Sequence, residues 1–331
     1  MRIPIVLAAT AAALLVQPAR GAQRKEGRLN PIISLLEAKQ PVFGLYAPAN
    51  RRVRPGEAAP ATAVPTKTPA ELALEALGNK TTDYVFDGSM EGNYDAAFPT
   101  FAEFMKGLES VGTVQKSPFL RLHHPVMVKT PEIAPDVAKA TYRISRQLNL
   151  GVSGIVFVTV ESADEVKAGL AAMRFKAKGG TRPDDVGNAP AIWGMSEKEY
   201  REKADLWPLN PNGELVNFTI VESKAGLAKV REIAAVKGIG VLFPGAGTLR
   251  GVFSTTDANG QRVLDEKGWE GAIQQVLAAC KEFNVPCGYP ANANDIEMRM
   301  QQGFSVFVIG WGEQGFKAVD IGRKVAGREE D

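Results

Sequence analysis

Leu215-Val216-Asn217-Phe218-Thr219-Ile220-Val221-Glu222, and after one amphipathic stretch Val241-Leu242-Phe243-Pro244-Gly245-Ala246-Gly247-Thr248, are two apolar runs that each end abruptly in chemistry. The first ends in a lone carboxylate and the second in a Gly-rich loop. Helical spacing over 224–236 separates them, so strand, helix and strand follow one another as in a parallel α/β unit. In a parallel barrel the loops after the strands' carboxyl ends converge on one mouth. Glu222 and the segment Gly245, Ala246, Gly247 and Thr248 are therefore expected to line such a mouth.

The same alternation extends in both directions. Apolar runs predict strands at 41–46, 83–87, 118–124, 154–160, 215–222, 240–243, 285–289 and 304–309. Helical spacing predicts helices at 69–77, 94–111, 133–148, 224–236, 268–283, 295–302 and 316–325. Ser162 with Glu165 three residues later is a capping-box signature for one more helix after the fourth strand. Residues 48–69 and 173–212 hold too much Pro, Gly and charge for a core and read as surface excursions, the second with a polar helix at 196–205. Eight strands with intervening helices predict a (β/α)8 TIM barrel with long insertions after strand 1 and before strand 5. A doubly wound sheet is the alternative, but no GxGxxG follows the first strand.

The chain has 331 residues and 45% apolar content, enough for one large core. A net charge of +2 sets up no broad field, which argues against nucleic acid or an anionic membrane surface as partner. Met1-Arg2, an uncharged apolar run over 3–16 and the small-x-small Ala19-Arg20-Gly21 have the form of a cleaved export signal over 1–22. That reading leaves a single barrel domain at 31–330, periplasmic or secreted, with no membrane attachment after cleavage, an uncleaved anchor being the alternative. An oxidising compartment permits a bridge between Cys280 and Cys287, two buried thiols being the alternative. The lack of a further cysteine pair and of a CxxC argues against a thiol-based zinc or redox site.

Strand ends supply the candidate chemistry. Asp87, followed by Gly88 and Glu91, closes the second strand; Arg121 lies in the third with His123 and His124 at its end; Glu222 closes the fifth; Asn292, Asn294 and Asp295 follow the seventh. A carboxylate cluster can hold a hard divalent cation, and an Arg can grip a substrate carboxylate through paired hydrogen bonds. Together they would make a site for a small 2-oxo acid, the metal polarising the carbonyl while Arg121 orients the acid. Each residue also has a plainer role available: a dipole-compensating Glu222, a turn-starting Asp87, a packed or solvated His124.

These residues in this order resemble the HpcH/HpaI aldolase family. The similarity runs from about residue 31 to 326 and is clearest in Phe86-Asp87-Gly88, Leu120-Arg121-Leu122, Val160-Glu161-Ser162-Ala163-Asp164-Glu165, and Ile220-Val221-Glu222-Ser223 through Gly245. The resemblance implies a (β/α)8 barrel and a class II aldolase that uses Mg, Mn or Co on carbon–carbon bonds of 4-hydroxy-2-oxo acids. It implies Glu222 as a metal ligand, Arg121 as the carboxylate-binding arginine, and a homo-oligomer that exchanges a terminal helix, here 316–325. The sequence departs from the family at the site itself. The loop Gly245-Ala246-Gly247-Thr248-Leu249 has Thr248 or Gly247 where the family has a second, aspartate ligand. No histidine follows Asp87-Gly88 to serve as the family's base, and Ile220 replaces a glutamine. Asp87 or Glu91 is then the acid left to complete a metal site, and His124 or Glu91 the group left to move a proton. Two readings follow: an exported lyase of altered chemistry, or an inactive barrel that binds a small acidic metabolite or a partner protein. The first requires Arg121 and Glu222 to share one cavity.

Overall fold

The computed structural model describes residues 27–50, 65–134 and 136–328. The expected signal at 1–22 and most of the excursion at 48–69 lie outside the described residues. Among the described residues eight parallel strands form the barrel, β1 (Val42–Tyr46), β2 (Tyr84–Asp87), β3 (Val126–Lys129), β4 (Gly154–Phe157), β5 (Leu215–Val221), β6 (Val241–Pro244), β7 (Gly288–Ala291) and β8 (Val306–Ile309), and a ninth short strand, Leu206–Trp207, joins the same sheet parallel to the start of β5. Neighbours in chain order pair in parallel, for example Leu45 with Val85, Asp87 with Val128, Val128 with Ile155, and Ile220 with Phe243. Strand β8 lies between β7 and β1, Phe307 pairing with both Tyr289 and Phe43. The seam between β6 and β7 is narrow: a single bridge joins Leu242 to Cys287, and the Leu242 N–H donates to the Pro286 carbonyl at 3.0 Å. With that contact the sheet closes into the expected barrel.

Because side chains alternate along a strand, two cores form. Tyr84, Phe86, Met127, Val156, Val216, Phe218, Ile220, Val241, Phe243, Val306 and Val308 fill the barrel itself. The residues between them, such as Phe43, Leu45, Val85, Val128, Ile155, Val221 and Phe307, pack outward against the helices. Gly44 makes room for this filling, since a Cβ there would lie 2.1 Å from the Tyr84 ring, whose hydroxyl donates to the Phe307 carbonyl at 2.8 Å. The amino end of the barrel is plugged by a helix not foreseen in the sequence, α1 (Pro31–Glu37). Asn30 caps it, accepting from the Ile32 N–H, and Ile32, Ile33 and Leu36 join the interior cluster.

Several expected elements shift. The third strand is not 118–124: Arg121–Leu122 pairs antiparallel with Val114–Gln115 in a two-stranded ribbon, and the barrel strand is Val126–Lys129. Pro125 between the two segments separates ribbon from barrel strand. The expected helix at 224–236 is broken into Lys224–Ala228 and Val230–Ala234. The Gly-rich loop is the start of a helix, Ala246–Val252, with Gly245 as its N-cap. The excursion at 173–212 is not a surface appendage, since Phe175, Val186, Ile192, Trp193 and Tyr200 are buried in the outer core. Within it Arg182 is fully buried beside the Phe175 ring at 4.3 Å, donating to Tyr200 and Asn149. Charge counting misjudged this segment because the guanidinium is stacked against aromatic faces, with Nη2 alone hydrogen-bonded. The last helix, Glu313–Val325, packs on its own barrel through Ala318, Val319 and Gly322. Cys280 and Cys287 form a disulfide that ties the helix Glu266–Phe283 to the entry of β7. No helix among the described residues is long and apolar enough to cross a membrane.

Candidate functional site

Inward-facing residues at the carboxyl ends of the strands surround a cavity of about 170 Å³. Its walls are apolar, chiefly Phe86, Val156, Phe218, Ile220, Phe243 and Val308, and its polar groups come from Tyr46, Lys129, Glu222 and the segment Gly245, Ala246, Gly247 and Thr248. Alternation explains the set. Val216, Phe218 and Ile220 point into the barrel, so Glu222 two residues on continues their face. On β3, Lys129 follows the inward Met127 in the same way.

Glu222 is buried, at 4% exposure, and its carboxylate is held from the neighbouring strand end. The Thr159 N–H donates to Glu222 Oε1 at 2.9 Å and the Thr159 hydroxyl lies 3.2 Å from the same oxygen. Thr159 has φ +50°, left-handed backbone that a β-branched residue rarely adopts. Glycine at 245 is required on the other side, since a Cβ there would lie 2.4 Å from Glu222 Cβ and 2.5 Å from Oε2. The loops after β4 and β5 are further tied by the Ser223 hydroxyl donating to Glu161 at 2.6 Å.

Lys129 is the one cation among the described residues lining the cavity. Its side chain is 14% exposed, and its ammonium donates to Glu91 Oε2 at 2.8 Å. Gln147 fixes the strand end by donating to the Lys129 carbonyl at 2.9 Å. Tyr46 stands edge-on to Phe86, ring centroids 4.9 Å apart. Burial raises the Tyr46 phenol above its usual range, Lys129 opposes the rise, and the charges of Glu91, Asp87 and Glu222 add to it.

The expected residues are only partly brought together. Glu222, Gly245, Ala246, Gly247 and Thr248 line the cavity, and Glu91 reaches its edge through Lys129. Arg121 does not line it. The ribbon that carries Arg121 precedes β3, and His124 Nε2 lies 2.7 Å from the Asn79 carbonyl, ahead of β2, so both residues sit at the barrel's amino end. Arg121 and Glu222 therefore stand at opposite ends of the molecule, and the shared cavity expected for them is not formed. His124 is 8% exposed and its pKa is lowered to about 4 by burial, the Asn79 carbonyl partly offsetting the drop. It is a neutral packing residue below the barrel, far from the mouth. Asp87 has the outward parity of Val85, pairs in register with Val128, and accepts from the Ser89 N–H at 2.9 Å and its hydroxyl at 2.6 Å. Sequence reasoning missed Lys129, Tyr46 and Thr159. Lys129 was legible in principle, because Val126-Met127-Val128-Lys129 ends in a charge just as the fifth strand does.

The resemblance read from the sequence implies a divalent metal such as Mg, Mn or Co. The donor set here does not fit such an ion. Among the described residues Glu222 is the only acid lining the cavity, Thr248 offers a neutral hydroxyl, and a lysine, Lys129, lines the same space. Among the described residues no three His, Cys, Asp or Glu side chains are grouped as a metal site. A hard divalent cation needs several oxygen ligands, and a neighbouring positive charge repels it. Asp87, the acid expected to share a metal with Glu222, does not line the cavity.

Residues 110–317 match the model of the HpcH/HpaI aldolase/citrate lyase family. The chain is 24% identical over 194 residues to a 2-dehydro-3,6-dideoxy-6-sulfogluconate aldolase of Pseudomonas putida, covering 53% of this chain and 71% of that protein. Its fold is similar to that of an HpcH/HpaI aldolase/citrate lyase family protein from Burkholderia cenocepacia J2315, with TM-score 0.61 and 19% identity over 85% of this chain and 92% of that one. An HpcH/HpaI aldolase from Desulfitobacterium hafniense DCB-2 aligns with TM-score 0.56 and 15% identity over 85% and 90% of the two chains. With a family match over more than half of its length and the same closed barrel, this chain belongs to the HpcH/HpaI aldolase/citrate lyase family.

Proposed function

We propose that this chain is an exported lyase of altered chemistry that makes or breaks a carbon–carbon bond in a small 2-oxo or hydroxy acid. Family membership supports a lyase. The observation that carries the rest is the pairing of Lys129 and Glu222 as the charged groups lining a small, otherwise apolar cavity at the strands' carboxyl ends. In such walls an ammonium attracts a carboxylate strongly, because water competes poorly for either charge. Lys129 takes over the acid-binding part first expected of Arg121, and its positive charge stabilises the negative charge that develops as the bond breaks. Glu222, held through Oε1, keeps Oε2 over Gly245 at the cavity wall, where it can accept a proton from a substrate hydroxyl. The signal-like start and the Cys280–Cys287 disulfide both favour an oxidising compartment.

The test is release of pyruvate from 4-hydroxy-2-oxo acids, with chelator and separately with Mg²⁺, Mn²⁺ or Co²⁺. Turnover that persists in chelator and disappears in Lys129→Met and Glu222→Gln is expected. Strict dependence on an added metal contradicts the assignment to Lys129, and acid binding without any turnover points to an inactive binder.

A further inference from the structure

We propose that Lys129 is a nucleophile that forms an imine with the carbonyl carbon of a 2-oxo acid. The inference rests on the reading of the mouth as a 2-oxo acid site and deepens it. Three observations converge. The lysine side chain is largely buried, at 14% exposure, and its main chain is pinned by Gln147. The lysine that lines the cavity therefore rises from a fixed root. Glu91 Oε2 stands 2.8 Å from Nζ, within reach to take one proton and return it. The site also lacks the donor set for a divalent ion, so the electrophile that bond cleavage needs must come from the chain itself. In a 2-oxo acid the carboxylate and the carbonyl carbon are adjacent, so the charge that draws the acid to Lys129 also delivers the carbon to its nitrogen.

The steps balance. The ammonium gives one proton to the Glu91 carboxylate, and the free amine adds to the carbonyl carbon. A C–N bond forms, the C=O π bond breaks, and a proton passes from nitrogen to the alkoxide to give a neutral carbinolamine. Glu91 returns its proton to the hydroxyl, which leaves as water, and the nitrogen lone pair closes the C=N bond of a protonated imine. Net, the lysine ammonium and the ketone become a protonated imine and one water, with charge conserved. That imine can then accept the electron pair of the breaking carbon–carbon bond while Glu222 takes the proton of the 4-hydroxyl.

The experiment is reductive trapping. The full-length protein is incubated with pyruvate, borohydride and chelator, then read by intact mass and peptide mapping, with lactate as the acid that has no carbonyl. Expected is one reduced adduct per chain, on the peptide that carries Lys129, absent with lactate and absent in Lys129→Arg whose circular dichroism matches the parent. No adduct, or labelling spread over other lysines and unchanged in Lys129→Arg, overturns the proposal. Calorimetry of pyruvate and lactate without borohydride separates the two levels. Binding of both acids with no adduct removes the imine and leaves the acid-binding site; absence of both binding and adduct removes both.

Discussion

The Thr159 N–H points at Glu222 Oε1 from 2.9 Å, and the backbone that aims it there is left-handed, φ +50°. A β-branched residue in that region carries strain of about 1–2 kcal/mol. Such strain persists where the surroundings over-determine it, and here they do so to fix one oxygen of Glu222, the acid among the described residues that lines the cavity. Thr159→Gly keeps the N–H, relieves the strain and removes the hydroxyl contact. It should stabilise the fold slightly, by roughly 0.5 kcal/mol once the greater freedom of unfolded glycine is subtracted. Pyruvate binding or turnover should fall a few-fold as Glu222 loosens. Thermal unfolding and calorimetry on the same variant read the two opposite changes.

Gly245→Ala tests the other wall. The added Cβ would meet Glu222 Cβ at 2.4 Å, so the carboxylate must move. Overpacking of this kind costs about 1–3 kcal/mol. The variant should melt lower than the parent and bind small carboxylates differently, whereas Gly247→Ala, with open space around the new methyl, should melt like the parent.

His124 makes a pH prediction. Burial lowers its pKa from 6.5 to about 4, so the unfolded chain binds a proton that the folded chain refuses over that interval. The stability contributed is complete above pH 6.5 and is lost as pH falls from there toward 4, at most roughly 3 kcal/mol. His124→Gln should unfold more easily at neutral pH, because the bond to Asn79 is weakened, yet its stability should change less between those pH values. Urea unfolding at pH 7 and pH 5 for both proteins gives the comparison.

Much of the fold was legible in the sequence because it rests on periodicity. The long helix predicted at 94–111 is found as Tyr94–Val111, and the strand ending at Glu222 is found as Leu215–Val221. What failed was local. The run at 118–124 is apolar enough for a strand, but Pro125 cuts it off and the four residues after it pair instead. That one displacement moved the third strand's end from His124 to Lys129 and put Arg121 in the wrong half of the barrel. The departures from the family pattern at Thr248 and after Gly88 were legible directly. Their consequence, a lysine where metal ligands are missing, needed the register of β3. Thr159 could not have been read at all, since its role depends on a backbone angle that no residue preference announces.

The central claim is that Lys129 and Glu222 grip one small acid without the help of a metal. It is tested most directly by calorimetric titration of pyruvate, in chelator, into the parent protein and into Lys129→Met. The account predicts saturable one-site binding by the parent and, with one charged hydrogen bond of about 2 kcal/mol removed, affinity lowered roughly thirty-fold in the variant. Equal affinity in the two proteins, or binding by the parent only after a divalent metal is added, would contradict it.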